Sequence, residues 1–561
     1  MAPAVLGRSE YDAVLVGAGI GSLAAAIRLT EAGLRPVVVE KSATVGGATA
    51  YSGGVVWAPG NHRMRAKGIE DSATEAMTYL ESVARGRWDR ELASAYVDGI
   101  GWILEWLEEV SPLRWMVYPD LPDYFAERPG GKLAGRCVLP QPRAIAAALD
   151  AAAARQPELG LVRDSVHFPA ERDGWAAGRA LVGSLWSRVL ELEVDYLMET
   201  RAVGLMREGA AIRGVEVDGP EGRLTLRARA GVLLNTGGFE WNRTMTSQCV
   251  PGGHLVNPQT PPIGDGDGHV MAAKVGAALA LMDQTISTPS IRVPDEDNEG
   301  HPLYRLLFQE LSYPHSLIVN SAGERFANET FFQDIVRGWD EYDDVAGANP
   351  NLPMYFIFDS EYRRSYGTPD GLEVGEYLTE HPDLASLAST HGIDLEGLEA
   401  QVGRLNADAR CGVDAEFARG ATAYQRAFAG SPDAAENPTI GAVESAPFYC
   451  LELFAGTSGH RGGAVIDRVG RVLDPEGCPI AGLYACGSVA AGLVTGATYL
   501  TGASVGQALV FAVLAADAMP EDALELPLAD GELGQRPLSR PTISNYVETA
   551  GNTRWEEGEE I

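Results

Sequence analysis

A strand-like run ending in a Gly-x-Gly turn, close to the start of the chain, constrains the fold more than any other feature. The run is Tyr11-Asp12-Ala13-Val14-Leu15-Val16, and Gly17-Ala18-Gly19-Ile20-Gly21-Ser22 follows it. A helix-like segment comes next, then Pro36-Val37-Val38-Val39 and the acid Glu40. Strand, tight turn, helix, strand and acid in that order open a Rossmann-like α/β fold. Gly17 permits the turn. Gly19 lets backbone approach a pyrophosphate at the helix N-terminus, whose unpaired N–H groups and dipole favour an anion. Ser22 stands where the strict fingerprint has a third glycine. Glu40 sits where an acid accepts hydrogen bonds from ribose hydroxyls. The pattern predicts a bound dinucleotide; an ordinary tight βα turn is the alternative.

Composition narrows the setting. A chain of 561 residues with 45% hydrophobic content is too long for one typical domain, so two are expected. The net charge of −33 argues against nucleic acid or an anionic membrane as partner. Cys137, Cys249, Cys411, Cys450, Cys478 and Cys486 form no close Cys-x-x-Cys pair, so no zinc or iron–sulfur site is expected. Reduced cytoplasmic thiols are the expected state. The longest apolar stretch, Val505 to Ala516, reads as a buried helix too short to cross a bilayer. Residues 519–561 are acidic and punctuated by proline, which predicts an extended tail over the body or a neighbouring subunit, or a disordered one.

After Glu40 comes Val45-Gly46-Gly47-Ala48-Thr49-Ala50-Tyr51-Ser52-Gly53-Gly54, a small-residue loop that lets backbone pass close to a planar ring. This segment resembles the isoalloxazine-side loop of the fumarate reductase and 3-ketosteroid dehydrogenase flavoproteins. Further pieces resemble the same superfamily in the same order. They are Gly178-Arg179-Ala180-Leu181 at a helix start, a strand pair over Thr200–Val217, Asn235-Thr236-Gly237-Gly238-Phe239 and Gly264-Asp265-Gly266-Asp267-Gly268-His269. Gly323-Glu324-Arg325-Phe326-Ala327-Asn328-Glu329 resembles a substrate-domain motif beside the flavin. Gly459-His460-Arg461-Gly462-Gly463, Gly482-Leu483-Tyr484-Ala485-Cys486-Gly487-Ser488 and Gly502-Ala503-Ser504-Val505-Gly506 complete the set.

The resemblance implies FAD. Its expected contacts are Gly17, Gly19, Gly21, Ser22, Glu40, Lys41, Gly46, Gly47, Ala48, Thr49, Ser52, Gly53, Gly54, Thr236, Gly237, Gly238, Asp265, Gly487, Ser504 and Val505. Val203 is expected to bind adenine through its backbone. Relatives that attach FAD covalently carry a histidine in the loop, and residues 41–61 contain none, so the cofactor is expected to be non-covalent.

The resemblance also implies an architecture. Residues 1–284 and 446–518 are expected to form a Rossmann-like FAD-binding domain, and 285–445 an inserted α+β substrate domain.

For the chemistry, Tyr499-Leu500-Thr501-Gly502 resembles an oxyanion element in which Tyr499 donates a hydroxyl and Gly502 an N–H to a ring ketone. The spacing resembles the Δ4-(5α) branch, with Thr501 adding a hydroxyl; Δ1 enzymes usually insert one more residue. Tyr124, before Pro129-Gly130-Gly131, resembles a second active-site tyrosine. The family's proton-transferring tyrosine follows the Glu of Arg-Phe-x-Asn-Glu by three or four residues, and Phe332 and Gln333 stand there. The base is then Tyr124, Tyr313, His315 or His460, or the substrate is not a steroid. Dehydrogenation of a cyclic ketone with an external electron acceptor is the reading favoured. A reductase of an activated alkene and a non-catalytic FAD protein are the alternatives.

Overall fold

The computed structural model describes residues 9–118, 120–167, 174–252, 256–427, 429 and 437–525. Its first sheet grows from the opening fingerprint. Strand Glu10–Val16 pairs in parallel with Pro36–Val39 on one side and Gly222–Leu234 on the other. Asp195–Leu197 extends the first side, and Pro479–Ala485 the second, again in parallel. Strands Arg201–Glu208 and Ala211–Gly219 add an antiparallel flank. The Val-rich runs are buried on both faces, as parallel strands covered by helices must be. Helices Ile20–Glu31, Ala177–Glu191 and Ala503–Glu525 supply that cover.

The Ala503–Glu525 helix runs past the end of the apolar stretch read from sequence. Its segment Ala503–Ala523 is long and apolar enough to cross a membrane, which corrects the expectation that it is too short. It is 67% buried within the protein and packs on Ile20–Glu31 and Arg90–Val110, so its apolar surface is spent on the core. Pro520 lies inside this helix, so residues 519–525 are helical and not the start of an extended tail. The rest of that expected tail lies outside the described residues.

A second, antiparallel sheet has the order His301–Leu306, Thr285–Asn298, Phe448–His460, Met354–Phe358, Ser316–Asn320. The short strand Asn257–Pro258 joins it in parallel before Thr285, and Phe448–His460 is its central strand. By strand pairing, the chain therefore rejoins the first sheet after His460 and not near residue 446. A Pro-containing break at 446–447 marks the strand's start, and sequence alone does not tell which sheet a strand enters.

Candidate active site

Two adjoining cavities lie where the sheets meet. The first, of about 220 Å³, follows the C-terminal ends of the parallel strands and is lined by Gly17, Gly19, Glu40, Lys41, Gly46, Gly47, Ala48, Thr49, Ser52, Thr236, Gly237, Gly238, Gly487, Ser504 and Val505. Gly17 has φ +93°, and a Cβ there would stand 2.3 Å from the Asn235 carbonyl oxygen, so only glycine fits. Glu40 accepts from the Ala18 and Ser42 N–H groups, both at 2.8 Å, which closes the turn around its carboxylate. Each oxygen keeps a lone pair for a ligand hydroxyl.

Other expected contacts fall elsewhere. Asp265 and Val203 line an adjacent recess, and Asp267 and Ala202 line both that recess and the first cavity; Ala202 and Val203 are strand neighbours that face opposite ways. Lys41 bridges Asp265 at 2.8 Å and Asp267 at 3.0 Å. Gly21 packs beneath the turn against Cys486 and Ala508, and Ser22 is fully buried. Gly53 lines the second cavity, and Gly54 packs on the Ala177 backbone.

The second cavity, of about 350 Å³, is lined by Tyr118, Tyr124, Phe308, Phe332, Tyr424, Tyr499, Thr501 and Gly502 among others. Tyr499 lines both cavities. Burial raises its phenol pKa to about 12, although the neighbouring Gly502 N–H and Arg461 both favour the charged form. Gly502 has φ +78°, and a Cβ there would meet the Trp57 nitrogen at 2.6 Å. The Gln333 side chain donates to the Tyr499 carbonyl at 3.0 Å, so this residue props the element and does not act as a base.

Tyr124 is carried by a braced loop. Its neighbour Asp123 is buried and accepts from Trp57 Nε1 at 2.8 Å, Arg136 Nη1 at 2.9 Å and the Lys132 N–H at 3.0 Å. The Tyr124 ring meets Tyr424 at 4.5 Å, Phe332 at 5.7 Å and Tyr499 at 6.4 Å between centroids.

The remaining candidates for the base are not brought here. His460 lines neither cavity; its ring stacks on Phe239 at 3.7 Å and its Nδ1 meets the Glu240 carboxylate at 3.3 Å. Tyr313 stacks on Tyr366 at 4.2 Å, and His315 Nδ1 is 2.7 Å from the Ala442 carbonyl. Arg325 belongs to neither lining and is held by Glu329 at 2.7 Å and Asp414 at 2.8 Å. That motif is a buried charge cluster that anchors the turn leading to Phe331 and Phe332. None of its residues lines either cavity, which Phe332, three residues on, does. Sequence reasoning passed over Asn235, inside a motif it quoted, and Tyr424, which carries no motif at all.

A family model described as "FAD binding domain" matches residues 12–505. The chain belongs to this FAD-binding family. The flavoprotein is 32% identical to the 4-oxocyclohexanecarboxylate 2-dehydrogenase of Sinomonas cyclohexanicum, over 91% of this chain and 92% of the relative. It is 33% identical to the 3-oxosteroid 1-dehydrogenase of Mycobacterium tuberculosis, over 90% of this chain and 98% of the relative. Its fold matches the crystal structure of 3-ketosteroid delta1-dehydrogenase from Sterolibacterium denitrificans in complex with 1,4-androstadiene-3,17-dione. The TM-score is 0.83 at 30% identity, covering 92% of this chain and all of the other. The flavoprotein is an FAD-dependent oxidoreductase of the ketosteroid dehydrogenase and fumarate reductase superfamily.

The residues present fit FAD. Asn235 Nδ2 and Thr236 Oγ1 are buried without a hydrogen-bond partner, and both residues line the first cavity, so donors await a polar ligand. Gly17 and Gly19 would present the turn to a pyrophosphate, and Glu40 would take the ribose. Ser504 and Val505, in the first turn of the Ala503–Glu525 helix, would direct its positive end at the flavin ring.

Proposed function

We propose that this flavoprotein desaturates the carbon–carbon bond beside the carbonyl of a neutral cyclic ketone, of 3-ketosteroid type or a related alicyclic ketone. The observation that carries the reading is that Tyr499 stands in the wall common to both cavities, with Gly502 beside it in the lining of the second. Two donors within reach of one oxygen polarise a ketone and stabilise the negative charge that grows on it as an α-proton leaves. With Tyr499 in the wall common to both cavities, the neighbouring carbon would face the FAD side. Bound FAD supplies the hydride acceptor. An external acceptor must then reoxidise it.

The lining supports a neutral substrate. Among the described residues, no Asp, Glu, Lys or Arg lines the second cavity. A substrate carboxylate would be desolvated there with only the titratable His167 in the lining to balance it, at a cost of several kcal/mol where that imidazole is neutral. A volume of about 350 Å³ falls in the range of roughly 300–1,000 Å³ that suits drug-sized ligands, polycyclic ketones included. The relatives named above, which act on oxosteroids and an oxocyclohexane acid, support the ketone class. We further propose that the first sheet and its helices form the FAD domain, and that residues from 285 to about 460 form the substrate domain.

The test is anaerobic titration of the holoenzyme with 3-ketosteroids, cyclohexanones and 4-oxocyclohexanecarboxylate, followed by flavin absorbance. Bleaching by neutral ketones, faster than by the carboxylate, is expected. Flavin left oxidised by every ketone would overturn the reading and leave a non-catalytic FAD protein or an alkene reductase.

A further inference from the structure

The adenosine end of the FAD site lies between two walls of opposite charge. One wall is the segment after strand Pro36–Val39, tied to residues 197–201. The Glu40 N–H donates to the Leu197 carbonyl and the Thr200 N–H to the Glu40 carbonyl, each at 2.8 Å, and the Glu199 N–H donates to the Ser42 carbonyl at 3.1 Å. This wall carries the two cations, Lys41 and Arg201. The other wall is the turn Gly264–Asp267, where Gly266 has φ +78° and Asp267 opens helix Asp267–Lys274. The turn is pinned by Asn242 Nδ2, which donates to the Asp265 carbonyl at 3.0 Å, and by the Gly266 N–H, which donates to the Gly238 carbonyl at 3.1 Å. This wall carries the two carboxylates, Asp265 and Asp267.

The four charges close into a ring. Lys41 Nζ reaches Asp265 at 2.8 Å and Asp267 at 3.0 Å, and Arg201 Nη2 reaches the same two carboxylates at 3.3 Å and 2.6 Å. Lys41 lines the first cavity, Arg201 and Asp265 line the adjoining recess, and Asp267 lines both, so the ring straddles the partition between them. Adenosine would straddle the same partition, since Glu40, which would take the ribose, lines the cavity and Val203, expected at the adenine, lines the recess. A lone exposed ion pair holds little. Here each charge has two partners, so parting the walls breaks four contacts together. Side-chain exposures from 20% at Lys41 to 48% at Arg201 leave the ring within reach of dissolved salt.

We propose that Lys41, Arg201, Asp265 and Asp267 form an ionic latch across the mouth of the adenosine site, which sets the rate at which FAD enters and leaves. The cations are engaged by carboxylates of the opposite wall, and the pyrophosphate is left to the Gly17–Gly19 turn. A gate is crossed in both directions, so weakening it speeds loading and release together and changes the dissociation constant less. The latch acts on the cofactor alone and stands apart from the choice of ketone.

The experiment follows FAD fluorescence as the holoenzyme is diluted, and its quenching as FAD is added back to the stripped protein, across a KCl series. Release from the parent should quicken about fivefold or more between about 0.05 M and about 1 M KCl, where the screening length falls to about 3 Å. Asp267→Asn removes two of the four contacts and should release and load FAD about tenfold faster at low salt, with most of the salt dependence gone. Its dissociation constant should stay within about threefold of the parent's. Arg201→Gln, at the most exposed corner, should act in the same direction and serves if Asp267→Asn fails to fold. Arg410→Gln, which breaks an exposed pair with Glu444 elsewhere on the surface, should leave both rates unchanged. Release that ignores salt in the parent, or rates within twofold of the parent in the ring variants, would overturn the latch. A dissociation constant that rises as far as the release rate, with loading unchanged, would make the ring an ordinary part of the binding site and would overturn the gate as well.

Discussion

Tyr499→Phe removes one hydroxyl and leaves the ring. The ring's contacts are with Tyr124 at 6.4 Å and with the walls of both cavities, so packing and flavin binding should survive. What is lost is one of two donors to the ketone oxygen. A donor of this kind contributes about 2.7–4 kcal/mol to an oxyanion transition state. At about 1.4 kcal/mol per tenfold, that is a fall of 10²–10³-fold in turnover. Ground-state affinity should change much less, because the neutral carbonyl draws far less on the hydroxyl than the enolate does. The assay is steady-state turnover with an artificial acceptor, together with ketone binding followed by flavin absorbance. Turnover within threefold of the parent, or a loss confined to KM, would show that Tyr499 only packs and that the carbonyl lies elsewhere.

Other outcomes follow from the same geometry. Denaturation should release intact FAD, since no histidine occurs between residues 41 and 61; yellow colour retained by the precipitated chain would contradict this. Glu40→Ala should weaken FAD retention at least tenfold by equilibrium dialysis, because the carboxylate both closes the turn through Ala18 and Ser42 and takes the ribose; unchanged retention would mean that the adenosine lies elsewhere.

The fold was legible because its constraint is local. Gly17 must be glycine for a clash two atoms away, and Pro36–Val39 must be apolar because both faces are covered. The sequence pattern therefore announces the parallel sheet at once. Which way a side chain faces is not written in a local pattern: Val203 and Asp265 line a recess that Ala202 and Asp267 share with the first cavity. The Arg325 motif was visible, but its partner Asp414 lies far along the chain, so its role as a buried brace was not. Likewise, Phe448–His460 enters the second sheet because Thr285–Asn298 and Met354–Phe358 flank it, which no local pattern states. Tyr424 was invisible for the same reason. It stands in an unremarkable short helix and gains meaning only from Tyr124, which a distant loop brings to it.

The central claim is that the holoenzyme takes two hydrogens from adjacent carbons of a neutral cyclic ketone. A single anaerobic turnover tests it most directly: enzyme in excess over ketone, with flavin absorbance and ketone products followed together. One enone should form for each flavin reduced, with the new double bond conjugated to the carbonyl. Flavin that stays oxidised, or flavin reduced without an equivalent of enone, would contradict it.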